Sequence, residues 1–435
     1  MSDDFFSYGR DRPLSFRHRI DKAALESLGL PKPKNKHREI ARASILAEAI
    51  LAHDEGKAVS YSRRRQSYTG QQRYTGSAFT YANVISEIDL LKLSGLIEEH
   101  RADPGTRGWQ SIFNATPVLL NSWNCTSSDC RGFSFHPNDP IRLAIKGNDA
   151  RRRLIDYRDT AQTRAMRKEV EVINAGYSGL VLDLPCAQKT ALHWVLEKSS
   201  IRPTPPSLYR VFNRGSWACG GRAYAWWQQL PKCFRGQLLI NDEPVAEPDY
   251  SALHATLIYA ERGVPLVGDP YDLDGFERGQ CKLAFLIAVN SKSPRDAIGS
   301  LARRHGMDRA VATKIIAALM AKHSHVSDAF CSDAGIRLMR QDSDLILACT
   351  RACLDAGIAA LPVHDSLIVP RRCEQTAAAI LVENFERRYP RASPCEVTTN
   401  AGKVSQMPSF LSPLLDCADL YAGFQSAKQF RLFSD

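Results

Sequence analysis

Two aspartates, each beside a run of apolar residues, are the feature of this sequence that most directly suggests chemistry. Asp249 follows an extended stretch that begins at Val245, and Pro248 keeps its preceding neighbour from being helical. Asp365 interrupts the strand-like segment "AALPVHDSLIVP" (359–370). An unpaired buried carboxylate is costly, so each aspartate must lie in water or meet a cation. Two converging carboxylates are able to hold two divalent cations ~3.5–4 Å apart, the arrangement that promotes phosphoryl transfer.

A pair of cations lies between these aspartates in the sequence. Arg278 and Lys282 are four residues apart in "FERGQCKLAFLIAVNS" (276–291), so on a helix they share one face. Two cations on one ridge of an otherwise apolar helix suit a triphosphate. The alternative is a pair of surface charges on an amphipathic helix.

The segment 37–118 predicts two helices followed by a two-stranded hairpin. Residues 38–56 and 79–95 have apolar residues at helical spacing, and Thr80 is suited to cap the second helix. Residues 96–116 indicate a strand, a Pro-Gly tip and a second strand. This order resembles a winged helix-turn-helix domain, in which the second helix enters the DNA major groove and the wing contacts the backbone.

Cations of the same segment favour nucleic acid as its partner. Arg63, Arg64 and Arg73 lie in the connector between the two helices, and Arg107 lies on the predicted wing. The whole chain has a formal net charge of +10 and a pI of about 9.0, which suits a polyanionic partner. The alternative is a solvated basic face on a small protein-docking domain.

The C-terminal half resembles the motifs of family A DNA polymerases and of the related phage-type single-subunit RNA polymerases. Asp-Tyr-Ser at 249–251 is similar to motif A, Arg278 with Lys282 to motif B, and Val-His-Asp-Ser at 363–366 to motif C. The resemblance covers roughly residues 207–372, and the motifs come in the family's order.

Three further residues extend the resemblance. Arg222, after a Gly, and Arg235 match two arginines that precede motif A, and Gln341 matches a Gln-bearing turn before a long helix (339–358). By the resemblance, Arg222, Arg235, Gln341 and His364 contact the primer–template nucleic acid.

The resemblance also implies the chemistry. Asp249 and Asp365 would bind two Mg²⁺ ions, with the backbone carbonyl of Tyr250 as a further ligand. Arg278 and Lys282 would grip the incoming triphosphate, and Lys282 would protonate the leaving pyrophosphate.

Several positions depart from the family pattern. Leu286 and Asn290 stand where motif B carries an aromatic residue or Met and then Tyr, so base stacking at the nucleotide would be weaker. His254 replaces the Glu of DNA polymerases or the Gly of RNA polymerases. Its bulk favours deoxynucleotides, whereas its imidazole could hydrogen-bond a ribose 2′-OH. Ser366 in motif C is the RNA-polymerase form, and the short spacing between the motifs implies reduced fingers.

The expected fold class is therefore α+β: a family A-like polymerase palm with reduced fingers, preceded by the winged helix-turn-helix domain. Its 435 residues divide into an arm or linker (1–36), the winged helix (37–118), a linker with a thumb-like helical region (119–206) and the polymerase core (207–435). The twelve cysteines are scattered, and neither a signal peptide nor an apolar run of about 20 residues is present, so the expected location is the cytoplasm, without membrane contact.

The expected function is template-directed nucleotidyl transfer, with DNA template and primer and nucleoside triphosphates as partners. The preferred interpretation is a compact DNA polymerase without proofreading that serves a plasmid, phage or other mobile element. One alternative is an RNA polymerase or primase. Another is a DNA-binding replication initiator or regulator with an inactive palm.

Overall fold

The computed structural model of the chain describes residues 11–69, 72–103, 110–125, 132–135, 139–146, 152–185, 205–400 and 402–404. Helices and strands are mixed along the chain, which confirms the α+β class. The chain forms two compact units. The first comprises Met1–Arg142, Gly147–Arg167 and Ala187–Ser207, and the second comprises Leu143–Lys146, Lys168–Cys186 and Leu208–Asp435.

The helices of the described residues are α1 Lys22–Ser27, α2 Lys36–Asp54, α3 Gln72–Thr75, α4 Tyr81–Leu93, α5 Pro117–Cys125, α6 Ala161–Gly176, α7 Lys232–Arg235, α8 Leu253–Arg262, α9 Arg278–Asn290, α10 Pro294–His305, α11 Arg309–Lys322, α12 Gly335–Asp355 and α13 Glu374–Arg388.

The strands of the described residues are β1 Arg12–Pro13, β2 His18–Ile20, β3 Val59–Tyr61, β4 Ile97–His100, β5 Ser111–Ala115, β6 Phe133–Phe135, β7 Ile141–Lys146, β8 Arg152–Ile155, β9 Leu182–Asp183, β10 Tyr209–Phe212, β11 Gly220–Tyr224, β12 Leu239–Ile240, β13 Glu243–Ala246, β14 Asp249–Tyr250, β15 Leu361–Val363, β16 Ser366–Pro370, β17 Val397–Thr399 and β18 Gly402–Val404.

In the first unit, α2 and α4 share an apolar core with a four-stranded sheet in the order β1-β3-β5-β4. Both helices begin where a side chain accepts a backbone N–H: Asn35 from Arg38 at 3.0 Å, and Thr80 from Asn83 at 3.3 Å. The predicted helices and the antiparallel strand pair β4–β5 are therefore confirmed. The expected Pro-Gly tip, residues 104 and 105, lies outside the described residues.

Residues 11–35 are not the arm or linker that the sequence suggested. Strand β1 pairs in parallel with β3, and Phe16, Ile20 and Leu25 are buried in the core of the unit. The Phe16 ring stacks on Phe79 with 4.2 Å between ring centroids. The prediction was wrong because it weighed the Pro and Lys of this segment above its three spaced apolar residues, which bury their surface against α2 and its neighbours.

In the second unit, a large sheet has the strand order β18-β17-β14-β16-β13-β12-β9, and β15 pairs with the other edge of β16. Strands β13 and β14 lie along β16 in one register, since Val245 pairs with Pro370 and Asp249 with Ser366. We expected one strand from Val245 to Asp249. The structure instead breaks it after Ala246, because Pro248 has no backbone N–H to add to the ladder.

The strand-like segment 359–370 forms the hairpin β15–β16, and its interruption at Asp365 falls in the turn. Val363 pairs with Ser366, which leaves His364 and Asp365 as a two-residue turn. His364 has a φ of +56°, as a tight hairpin turn requires at its first central residue. A second two-residue turn, Asn241-Asp242, joins β12 to β13 with positive φ at both residues.

The main apolar core of the second unit lies between this sheet and its helices. It contains side chains from α8, α9, α10, α11, α12 and α13 together with β16 and β17. The expected helices over 276–291 and 339–358 are confirmed as α9 and α12. The segment after Asp249 forms helix α8.

Candidate active site

Of the two aspartates singled out from the sequence, Asp249 lies on a strand of the large sheet, and Asp365 lies in the turn that leads into the neighbouring strand. Asp249 is the first residue of β14, and its register partner on β16 is Ser366, the residue after Asp365. The Tyr250 backbone N–H donates to the Asp365 carbonyl oxygen at 3.2 Å. The fold thus brings together two acids that are far apart in the sequence.

The electrostatic setting of both aspartates disfavours two negative charges. Loss of hydration, followed by the charges of Asp365 and Glu247, raises the pKa of Asp249 to about 7, while Lys282 and Lys232 oppose the shift. The Asp249 side chain remains exposed, so water screens part of this repulsion. Burial also raises the pKa of Asp365, with Arg222 opposing the shift and Asp342 adding to it.

Glu247 is a third acid of the site, and the sequence interpretation missed it. Its carboxylate accepts a hydrogen bond from Ser366 Oγ at 2.7 Å and from Arg235 Nε at 3.2 Å. Arg235, expected to contact nucleic acid, is therefore in an ion pair at the base of the site. Glu247 is two residues before Asp249, and in an extended chain residues two apart lie on the same face. This spacing could have identified Glu247 from the sequence.

Asp342 is a fourth acid that the sequence interpretation passed over. Its side chain is fully buried and accepts from Arg222 Nε at 3.1 Å and from His254 Nε2 at 2.8 Å. Asp342 follows Leu338 by four residues and precedes Leu345 by three, so it stands on the buried face of α12. A buried acid needs a charged or hydrogen-bonding partner. The position of Asp342 among the apolar residues of a helix could therefore have identified it from the sequence.

The predicted phosphate-binding cations share the N-terminal half of α9. Lys282 is exposed and close enough to Asp249 to lower the pKa of that carboxyl. Its Nζ lies 6.0 Å from the centroid of the Tyr271 ring, and the Arg278 guanidinium lies 5.4 Å from the same ring. Arg278 also donates to Asp269 Oδ1 at 3.3 Å, so of the two cations Lys282 is the one that acts on Asp249.

Four other predicted residues have the following surroundings. Asn290, expected at the nucleotide, donates to the Leu286 carbonyl oxygen at 2.8 Å and packs against Gly335. Gln341 donates to Glu261. The Tyr250 phenol is buried and donates to the Leu381 carbonyl at 2.5 Å.

The fourth, His364, reaches solvent at the hairpin turn. Loss of hydration and the nearby Arg222 cation lower its pKa.

The cations predicted to bind DNA in the first unit are mostly engaged within the unit. Arg63 Nε donates to Glu99 at 2.6 Å, and Arg73 pairs with Asp139 at 2.9 Å and Asp159 at 3.2 Å. Arg64 is exposed and forms no ion pair with any described residue. Arg107 lies outside the described residues.

Asp249 and Asp365 are residues of the site that could hold a divalent cation. No group of three or more His, Cys, Asp or Glu side chains in the described part of the chain is arranged to hold a metal ion. Mg²⁺ prefers oxygen ligands and keeps several waters, with one or two carboxylates and substrate phosphates completing its shell. In their ionised forms the two aspartates could supply such carboxylates.

Comparison with known proteins finds no match from which a function could be assigned. No model of a known protein family matches this chain, and no curated protein matches it. Among the helices of the described residues, none has both the length and the apolar character needed to cross a membrane.

Proposed function

We propose that this chain is a template-directed nucleotidyltransferase, and specifically a compact DNA polymerase of the family A type with a palm sheet that carries its acids. The observation that carries the proposal is the closeness of Asp249, on β14, to Asp365, in the turn that leads into the neighbouring antiparallel strand β16, with Lys282 acting on Asp249. Asp249, Lys282 and Asp365 follow one another in the sequence in the order of motifs A, B and C of that family.

The residues of the site would divide the work as follows. Asp249 and Asp365 would hold two Mg²⁺ ions, which when bound neutralise phosphate charge and activate the attacking hydroxyl. Lys282 would neutralise charge on the departing phosphates, since its ammonium lies close to Asp249. Glu247 and Ser366 would hold the strand pair in place through their 2.7 Å hydrogen bond.

We propose that the first unit binds DNA as a winged helix. Support comes from the chain order α2, β3, α3, α4, β4, β5 and from the strand order β3-β5-β4. Asn83, Ser86 and Asp89 lie on the solvent-facing side of α4, and most of its apolar residues are buried, although Leu93 at its last turn is exposed. The exposed Arg64 supports backbone contact, whereas Arg63 and Arg73 support the fold of the unit through their ion pairs.

A reducing, cytoplasmic location goes with this proposal. No disulfide joins the nine cysteines of the described residues to one another, and five of them are buried. Thiols of this kind persist where disulfides do not form.

One observation favours an RNA polymerase or primase as a second candidate. His254, at the position where a sugar would be sensed, is held by Asp342, and its Nδ1 is buried without a hydrogen-bond partner among the described residues. A sugar hydroxyl would satisfy that nitrogen. A replication initiator with an inactive palm remains the third class, and activity separates it from the other two.

A primer-extension assay tests the proposal. Purified protein is given Mg²⁺ and a template with or without primer, and receives dNTPs or NTPs in parallel reactions. We expect incorporation that stops when Asp249 and Asp365 are both changed to Asn. Extension by dNTPs only with primer supports a DNA polymerase, and primer-independent use of NTPs supports an RNA polymerase or primase. No incorporation under any of these conditions, with DNA binding retained, would favour the inactive initiator.

A further inference from the structure

The contacts of Asp342 determine which nitrogen of His254 carries a proton. His254 Nε2 and Arg222 Nη2 both contact the same carboxylate oxygen, Oδ2 of Asp342, with His254 Nε2 at 2.8 Å. A carboxylate paired with a guanidinium offers only acceptors, so Nε2 must be the donor in this contact. The 3.4 Å separation of Arg222 Nη2 from His254 Nε2 follows from this shared acceptor.

The other ring nitrogen of His254 is left as a hydrogen-bond acceptor. In neutral imidazole one nitrogen donates and the other accepts, so a protonated Nε2 leaves a lone pair on Nδ1. Nδ1 is buried and has no partner among the described residues. A buried polar atom without a partner is rare and needs an explanation, such as a bound molecule that completes it.

The position of His254 indicates what kind of molecule that is. It lies in the first turn of α8, five residues after Asp249, and Asp342 holds its ring beside the Arg222 guanidinium. A nucleotide whose phosphates lie at the carboxylate pair would bring its sugar, and the donor hydroxyls of that sugar, to the neighbourhood of the imidazole. A sugar hydroxyl is a neutral donor of the kind that an acceptor nitrogen binds.

We propose that Asp342 is a positioning residue that fixes the Nε2–H tautomer of His254, so that Nδ1 accepts a hydrogen bond from a sugar hydroxyl of the incoming nucleotide. The inference rests on the proposed nucleotidyltransferase function and adds the residues that recognise the sugar of the nucleotide. The 2′-OH occurs only in ribonucleotides, while the 3′-OH occurs in both kinds, and the two are distinguished by experiment.

Single-nucleotide incorporation measures the hydroxyl contact. We compare kcat/KM for an NTP, its 2′-deoxy form and its 3′-deoxy form in the wild-type protein and in Asp342→Leu. Removing the recognised hydroxyl should lower wild-type kcat/KM on the order of tenfold, the effect of one unpaired buried hydrogen-bonding group. In Asp342→Leu the shared acceptor is gone, and Arg222 Nη2, which lies 3.4 Å from Nε2, donates to that nitrogen, so the ring proton moves to Nδ1. The preference should then vanish.

A matched control separates this effect from general damage to α12. Asp344→Leu is the same change two residues away, but the Asp344 carboxylate pairs with Arg210 at 2.6 Å and not with His254. We expect Asp344→Leu to keep the wild-type hydroxyl preference. His254→Ala is a second test of the contact if Asp342→Leu does not fold, and it should lose the preference as well. Retention of the preference in His254→Ala would overturn the inference.

Nitrogen NMR decides the tautomer without any catalysis. In protein labelled with ¹⁵N-histidine, the His254 signals are assigned by their absence in His254→Ala. We expect Nδ1 to be unprotonated and Nε2 protonated in the wild type, and the reverse in Asp342→Leu. A protonated Nδ1 in the neutral wild-type ring overturns the role of Asp342. A wild-type protein that incorporates no nucleotide overturns the proposed function instead, and the NMR result then judges the tautomer alone.

Discussion

At the scale of single residues, the candidate site has more acids than free cations. Arg235 is paired with Glu247 and Arg222 with Asp342, so two of the nearest guanidinium groups already have carboxylate partners. Asp249 and Asp365 therefore retain raised pKa values. Ionisable groups that lower the stability of the fold and lie together at one site are candidates for functional residues.

Replacing either aspartate should remove activity and leave the fold intact. Asp249→Asn and Asp365→Asn keep the side-chain shape and remove the charge that would hold Mg²⁺. Loss of one metal site should cost at least about 2.7 kcal/mol of transition-state stabilisation, which is about a hundredfold in rate. The melting temperature should stay equal or rise, because the repulsion between the two carboxylates is relieved.

Nucleotide incorporation and thermal melting, measured on the same preparations, check this prediction. The control is Asp355→Asn, whose carboxylate forms an exposed pair with Arg351. Near-normal incorporation by Asp365→Asn would contradict the two-metal interpretation.

The raised pKa of Asp249 also predicts a pH dependence of metal-free stability. Its folded pKa of about 7 lies above the unfolded value, so the native state binds more protons between these two values and loses stability as pH rises through about 7. Lowered pKa values at His323 and His364 give the opposite slope. The informative quantity is therefore the difference between wild type and Asp249→Asn.

Urea unfolding in EDTA at about pH 5, 6, 7 and 8 provides that difference. Asp249→Asn should gain stability over wild type as pH rises, and added Mg²⁺ should shrink the gain by binding the ionised wild-type carboxylate. Glu48, with a pKa of about 2, is ionised in both states over this range and does not add to the slope. A constant difference between the two proteins across the four pH values would show that Asp249 is not perturbed.

At the scale of elements, the hairpin turn at His364 and Asp365 makes a prediction about backbone strain. A β-branched residue at His364 must adopt the φ of +56°, which should cost about 1–2 kcal/mol. Asn tolerates this conformation, so His364→Asn should stay within about 0.5 kcal/mol of wild type. Equilibrium unfolding of His364→Val beside His364→Asn measures the difference. Equal stability of the two variants would mean that the turn relaxes.

The elements themselves were largely predictable, because their signals are local. The Thr80 cap, the helical spacing in α2 and the interruption of an apolar strand at Asp365 each depend on a few neighbouring residues. The break at Pro248 was misjudged, although the missing N–H was visible in the sequence. The strand β1 could not be predicted, because two residues are too few to show the alternation of a strand. They form a strand only by pairing with β3.

Side-chain partners were much less predictable than elements. Arg63 and Arg73 are residues of the kind found on nucleic-acid-binding surfaces. In the structure they form ion pairs with Glu99, Asp139 and Asp159 from other parts of the chain. Asp342 finds His254 and Arg222 on two different elements. Such pairings depend on tertiary geometry, which the periodicity of the sequence does not encode. Asp249 and Asp365 could therefore be singled out from the sequence, whereas the partners of the acids around them could not.

At the scale of the whole molecule, the net charge of +10 is not spread evenly over the surface. Many arginines of the second unit, including Arg262, Arg351 and Arg387, are exposed but paired with an acid. The segment 292–314, which contains α10 and the start of α11, differs. It has six cations, all exposed and without an ion pair to a described residue: Lys292, Arg295, Arg303, Arg304, Arg309 and Lys314.

The two acids of that segment do not neutralise these cations. Asp296 accepts a hydrogen bond from Ser293, which caps α10, and Asp308 caps α11 by accepting from two backbone N–H groups. Free cations held on a packed helix pair can approach phosphates without first breaking an ion pair. The proposed nucleic-acid partner should therefore contact this segment.

The salt dependence of nucleic-acid binding tests that expectation. Changing Arg303, Arg304 and Arg309 to Gln should weaken binding to duplex DNA and flatten the plot of log K against log salt, by up to about 0.9 for each phosphate that is no longer neutralised. The control carries Arg351→Gln and Arg387→Gln, which remove exposed charges that already have acid partners. Because those arginines would have to leave their ion pairs before binding phosphate, the control slope should stay close to wild type. Arg64→Gln tests the first unit in the same assay. If the control flattens the plot as much as the triple variant does, binding follows net charge alone, and the α10–α11 segment has no particular contact with the nucleic acid.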